Sequence, residues 1–80
     1  MMLLDIIVLS PQEIIFQGKA NSVTVPGEQG VFEILAFHKR IISRLLAGKL
    51  SIDGKSLSLH RGIVKVNQNQ VMIILEENGS

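Results

Sequence analysis

Apolar and polar positions alternate along most of this chain, in short runs separated by turn residues. Residues 3–9 form an apolar run broken only by Asp5, the length of a strand buried on most of both faces. Ser10-Pro11 ends it, because proline has no amide donor for a ladder and restricts the residue before it. Residues 13–17 predict a second short strand, closed by Gly18. Over residues 21–25, Val23 and Val25 point inward while Ser22 and Thr24 point outward. Pro26-Gly27-Glu28-Gln29-Gly30 predicts a turn, since proline presets φ and the glycines accept positive φ. Leu50 and Ile52, then Leu57 and Leu59, alternate with polar residues on either side of Asp53-Gly54, a strong hairpin signal. Val64 and Val66 flank Lys65, Asn67-Gln68-Asn69 predicts another turn, and residues 71–75 predict a last strand, apolar on both faces. The polar residues 76–80 predict a frayed end. Turn signals at such short spacing predict a sandwich or barrel of short strands.

The middle of the chain supports two patterns. Ile34, Leu35, His38, Ile41, Ile42, Leu45 and Leu46 follow helical spacing, with Lys39, Arg40 and Arg44 toward the C-terminal end and Gly48 where a cap would sit. Read locally, residues 34–47 form one amphipathic helix. The alternative is a strand over 31–35, a loop through His38, and a short strand or turn near 41–46.

Composition narrows the class. Ile and Val together number 18, Leu 10, and there is no Trp or Tyr, a β-branched weighting that favours pleated surfaces. A charged fraction of 19% and a net charge of +1 exclude a disordered polyelectrolyte and a strongly basic nucleic-acid binder. No apolar run approaches the ~20 residues of a membrane-spanning helix. Asp5 stands where a signal peptide would be basic, and no small-residue cleavage site follows. The chain has no cysteine, so disulfides, thiol chemistry and thiolate metal sites are out. An apolar content of 46% in 80 residues implies either a tight core or apolar surface held for a partner.

Catalytic chemistry has little to work with. No serine is flanked by glycines as a nucleophile elbow would be. His38 and His60 have no metal-ligand spacing and no evident third ligand. His60 falls on an outward strand position, and His38 reads as a solvated or core-capping histidine. Gly27-Glu28-Gln29-Gly30 matches no phosphate-binding loop, and Glu28 would repel a phosphate. Lys39, Arg40 and Arg44 are too few for a nucleic-acid footprint, and no aromatic falls on the outward strand positions to stack a base. What remains is a binding or structural role inside an assembly.

The order of motifs resembles the N-terminal domain of the epsilon subunit of F-type rotary ATP synthases, from Leu4 to Leu75. A strand ending in Ser/Thr-Pro and a short strand closing on Phe-x-Gly are matched by Leu9-Ser10-Pro11 and Ile15-Phe16-Gln17-Gly18. Val23-Thr24-Val25-Pro26-Gly27 follows the family's Val-x-x-Pro-Gly-like segment. Residues 30–40 stand where the family carries Gly-acid-apolar-Gly-Ile-Leu-Pro-x-His-Ala-Pro. Leu45-Leu46-Ala47-Gly48-Lys49-Leu50-Ser51-Ile52 and the pair of elements around Gly62 and Val71-Met72-Ile73-Ile74-Leu75 complete the series. Departures are specific: Val31 replaces the acid, Glu33 the second glycine, Ala36 and Arg40 the two prolines, and Gly62 stands alone where the family has a pair. The family's C-terminal two-helix hairpin has no counterpart in residues 1–80, which read as one sandwich domain.

The resemblance implies a flattened all-β sandwich of about ten short strands, and it favours strand, loop and short strand over the helix for residues 34–47. It implies a non-catalytic subunit without cofactor, peripheral on the cytoplasmic face of a bacterial inner membrane. The subunit would link gamma to the membrane rotor ring and couple ion-driven rotation to ATP synthesis. Its interface with gamma and the ring's polar loops would draw on a loop over residues 28–40: Glu28, Gln29, Gly30, Val31, Phe32, Glu33, His38, Lys39 and Arg40. On a strand, Val31 and Glu33 point to one side, so Glu33 substitutes for the missing acid. The competing reading is a free-standing β-barrel module for single-stranded nucleic acid or oligosaccharide; a small hydrolase using His38 is a third.

Overall fold

The computed structural model describes residues 3–76; Met1, Met2 and residues 77–80, with most of the expected frayed end, lie outside them. The described residues form nine strands and no helix, one strand fewer than the ten or so expected. They are β1 (Leu4–Leu9), β2 (Ile14–Ala20), β3 (Ser22–Gly27), β4 (Gly30–Leu35), β5 (Ile41–Leu45), β6 (Gly48–Ile52), β7 (Lys55–Leu59), β8 (Gly62–Asn67) and β9 (Gln70–Leu75).

One continuous ladder runs β2-β1-β9-β8-β5-β3-β6-β7, with β4 paired to β3. β3 is the joint. Along one side it bonds β4 over its whole length, from Ser22↔Leu35 to Gly27↔Gly30. Its other side is shared: Gly27 pairs with Leu45 of β5, while Val23 and Thr24 pair with Ile52 and Ser51 of β6. The sheet therefore divides at β3 into a five-stranded layer, β2-β1-β9-β8-β5, and a smaller layer of β4, β3, β6 and β7. Their inner faces form one core, in which Leu4, Val8, Val23, Val25, Ile34, Leu45, Leu50, Val64 and Ile73 are each fully buried. The parallel β1–β9 ladder (Asp5↔Gln70 to Leu9↔Ile74) ties the two ends of the chain together.

Most sequence expectations meet this architecture directly. Val23 and Val25 are buried, and the Asp53-Gly54 hairpin forms with φ of 47° and 86° at its two central residues. Both values are positive, as a type I′ hairpin turn requires. The Asp53 carboxylate also accepts bonds from the amides of Asn21 and Ser22 at 3.0–3.1 Å, fixing this hairpin to the start of β3. Residues 34–47 are not helical: β4 ends at Leu35, a loop follows, and β5 spans Ile41–Leu45. The helical spacing loses because β4 pairs fully with β3 and β5 with β8, and tertiary pairing overrides a weak local propensity.

Four expectations need correction. β2 runs through Gly18 to Ala20, because Gly18 keeps its ladder place opposite Ile6 and the Phe16 ring lies against it. A Cβ on Gly18 would sit 3.3 Å from the Phe16 ring, so the aromatic fills the space the glycine leaves. Pro26 and Gly27 belong to β3, and the turn is only Glu28-Gln29. Pro26, buried, contributes its carbonyl to the Leu46 amide at 2.8 Å. β1 buries one face and half-buries the other, instead of both. Residues 28–40 are not one loop, as detailed next.

Candidate functional site

The residues expected at an interface divide among three places along β4. Glu28 and Gln29 form the tip of the β3–β4 hairpin, exposed, beside a surface groove of about 410 Å³ that also touches Ile41 and Ser43. Gly30, Val31, Phe32 and Glu33 lie in β4 itself, the outer strand of its layer. Val31, 70% exposed, and Glu33 face outward together, as strand alternation requires, while Phe32 packs on the core. Gly27 is needed under that ring, because a Cβ there would meet Phe32 Cε1 at 2.6 Å. His38, Lys39 and Arg40 follow at the far end of β4, roughly 16 Å from the hairpin tip at ~3.3 Å per residue. The strand expected over 31–35 forms as β4, and because β3 holds it in register for six residues it divides the loop expected over 28–40 into two separate ends.

The far loop is pinned to the β8–β9 turn. The Phe37 amide donates to Asn69 Oδ1 at 2.9 Å, Arg40 Nη2 reaches Asn67 Oδ1 at 3.5 Å, and the His38 amide donates to the Leu35 carbonyl at 3.2 Å. His38 Nδ1 lies 2.7 Å from the Lys39 carbonyl, so one ring nitrogen is engaged within its own loop. Phe37 has φ of 67° and is 76% exposed, a residue the sequence reading passed over in favour of His38. Its signal was present in the sequence as an aromatic beside two cations in a loop.

A second surface went unassigned by sequence. On the outward face of the five-stranded layer, register places Ile14, Leu9, Ile74 and Ile63 in one row, ending at Arg44. A parallel row reads Gln17, Ile7, Met72, Lys65 and Ile42. Ile14, Met72, Ile74, Ile63 and Ile42 are exposed, and Ile7 and Leu9 half-buried. Neighbours on one sheet face lie side by side, so Ile14, Leu9, Ile7, Met72, Ile74 and Ile63 form an apolar patch. Lys65 and Arg44 set Ile42 apart, and Gln17 and the Asp5–Lys19 pair stand at the rim. The signal for it was the last strand's apolarity on both faces.

Catalytic geometry does not assemble among the described residues. No group of three His, Asp or Glu is placed to hold a metal. His60 is exposed beyond β7, and Asp5 is paired with Lys19 at 2.9 Å on the surface. Phe16 and Phe32 pack against the core, so neither offers a base-stacking platform.

An all-β sandwich with an apolar outward face on one layer is therefore the class that fold and surface define. Residues 3–78 match the family model described as ATP synthase, Delta/Epsilon chain, beta-sandwich domain, and the chain belongs to that family. The ATP synthase epsilon chain of Sulfurimonas denitrificans is 36% identical over 74 residues, covering 86% of this chain. That of Chlorobaculum tepidum is 34% identical over 75 residues. This chain spans only 57% of the length of the first of these relatives but 85% of the second. Among solved structures, a chain of the Tetrahymena thermophila mitochondrial ATP synthase central stalk and c-ring superposes with a TM-score of 0.80 at 13% identity. It is matched over 92% of this chain and 63% of its own. A chain of the Euglena gracilis mitochondrial enzyme gives 0.83 at 22%, over 91% of this chain and 50% of its own. At those identities the structures speak for the fold.

Proposed function

We propose that this chain is the sandwich part of an epsilon subunit in the central stalk of a rotary ATP synthase, joining gamma to the membrane rotor ring. The observation that carries this reading is the apolar outward face of β1, β9 and β8 in a member of the delta/epsilon family. In this reading gamma covers the Met72–Ile74 face, and the polar loops of the ring meet the outward side of β4 and the hairpin tip, with Glu33 presenting the charge. The subunit carries torque and catalyses nothing, and it sits peripherally on the cytoplasmic side of an energy-coupling membrane. Residues 1–80 act as one sandwich domain of that stalk.

Co-expression with the cognate gamma is the test. A partner that binds only the folded state stabilises it, by about 2.7 kcal/mol at 100 times Kd. The two chains should co-purify, and the melting temperature of the pair should rise with gamma concentration. Separate migration at micromolar concentration overturns the proposal.

A further inference from the structure

Phe37 combines three properties that do not favour a folded chain by themselves. It is a bulky residue in the left-handed region, at φ 67°, where L side chains crowd their own backbone. Its ring is 76% exposed, so burial within the chain does not compensate for that conformation. The conformation is nevertheless held: Asn69 Oδ1 accepts the Phe37 amide at 2.9 Å, and the next amide, of His38, bonds back to Leu35 at 3.2 Å. Backbone strain maintained by its surroundings, with an aromatic ring carried outward on it, is the arrangement of a preorganised contact residue.

The charges around the ring say what it meets. Lys39 and Arg40, both exposed, follow in the loop, and among the described residues neither is ion-paired to a carboxylate. The acids that the topology brings to this end are already engaged, Asp5 with Lys19 and Asp53 with the amides of Asn21 and Ser22. Glu33 is separated from the loop by the exposed Leu35, whose apolar side chain extends the contact along β4. We infer that Phe37 is an anchor that inserts into an apolar socket on a protein partner, with carboxylates at the socket's rim facing Lys39 and Arg40. A lipid surface is disfavoured by number, since electrostatic membrane recognition uses clusters of about 4–8 basic residues and this loop offers two.

The inference rests on the stalk reading only for the identity of the partner, and one set of measurements separates the two. Phe37→Ala removes the ring and keeps a Cβ in the left-handed region; Phe37→Gly removes both. The glycine variant should melt higher than the alanine variant by about 4 °C, the shift that ~1 kcal/mol of relieved strain produces in a domain of this size. Both variants should reassociate with epsilon-depleted synthase about 30-fold more weakly than the unsubstituted chain, the scale of a truncated interface hot spot. Lys39→Glu with Arg40→Glu should slow that reassociation, most at low salt, with little change in melting temperature. Equal affinity of the Phe37 variants and the unsubstituted chain sinks the anchor and leaves the stalk reading standing. Failure of the unsubstituted chain to reassociate sinks both. Undiminished synthase binding by the Phe37 variants, with loss of binding to anionic vesicles instead, would transfer the ring to a membrane role and overturn the protein socket.

Discussion

The outward faces of the two layers are built from different residues, although their inward faces are alike. Where β6 pairs with β7, the inward positions are Leu50, Ile52, Leu57 and Leu59, and the outward ones Lys49, Ser51, Ser56 and Ser58. Across β1, β9 and β8 the inward positions are equally apolar, but outward stand Ile7, Leu9, Met72, Ile74 and Ile63. Both layers need an apolar inner side, because burying it is the main favourable term in folding. The outer side is polar across β6 and β7, with Val31 and Leu35 exposed on the outer strand β4. It is broadly apolar across β1, β9 and β8, where exposure invites association. Core formation explains the first pair of faces; the proposed binding of a partner would explain the second.

The sharpest way to break this comparison lies within β9, where neighbours face opposite ways. Ile73→Ala should destabilise the isolated chain by about 3 kcal/mol, as large-to-small changes in packed cores do, whereas Ile74→Ala should cost under ~1 kcal/mol. Chemical denaturation of the two variants decides it; equal losses would mean that the outer face is also structural. Met72→Lys with Ile74→Lys should weaken binding to gamma by about 100-fold, while Ser56→Lys with Ser58→Lys on the other layer should leave it unchanged. Titration calorimetry with purified gamma reads both, and matched losses would erase the distinction between the layers. Asp53→Ala removes the acceptor of three short amide contacts at the polar layer's hairpin and should lower stability by about 1 kcal/mol without altering gamma affinity. The smallest effect belongs to Glu33→Gln. It should slow assembly onto the ring a few-fold at low salt and leave the melting temperature unchanged, as exposed charges do; assembly rates indistinguishable at low and high salt would remove Glu33 from the contact.

Local alternation was enough to place the Asp53-Gly54 hairpin and the inward valines, because each of those patterns is settled by residues within a few positions. Residues 34–47 were different. Their helical spacing is real, and only the pairing of β4 with neighbouring β3 and of β5 with β8, about twenty residues on, reveals why it is not used. Gly18 misled for the same reason: nothing near it in sequence shows that it stays in the ladder opposite Ile6. The apolar rows are legible as composition but not as a surface, since the register between β1, β9, β8 and β5 is what brings them side by side. Phe37 was hidden by the histidine next to it, and its backbone conformation has no local sequence signature.

The parallel pairing of β1 with β9 also fixes the order in which this chain can be finished. β1 is synthesised first and pairs early with β2 through a short turn, where the Ser10 hydroxyl accepts the Gln12 and Glu13 amides. Its other edge, along an Ile- and Val-rich sequence, is completed only by β9. At about 5–20 residues per second, the ribosome leaves that edge bare for several seconds before β9 emerges. Pairing across nearly the whole chain length is also the slow kind, because loop closure precedes any reward from contact. The nascent chain thus has a window in which a sticky strand edge waits for its neighbour.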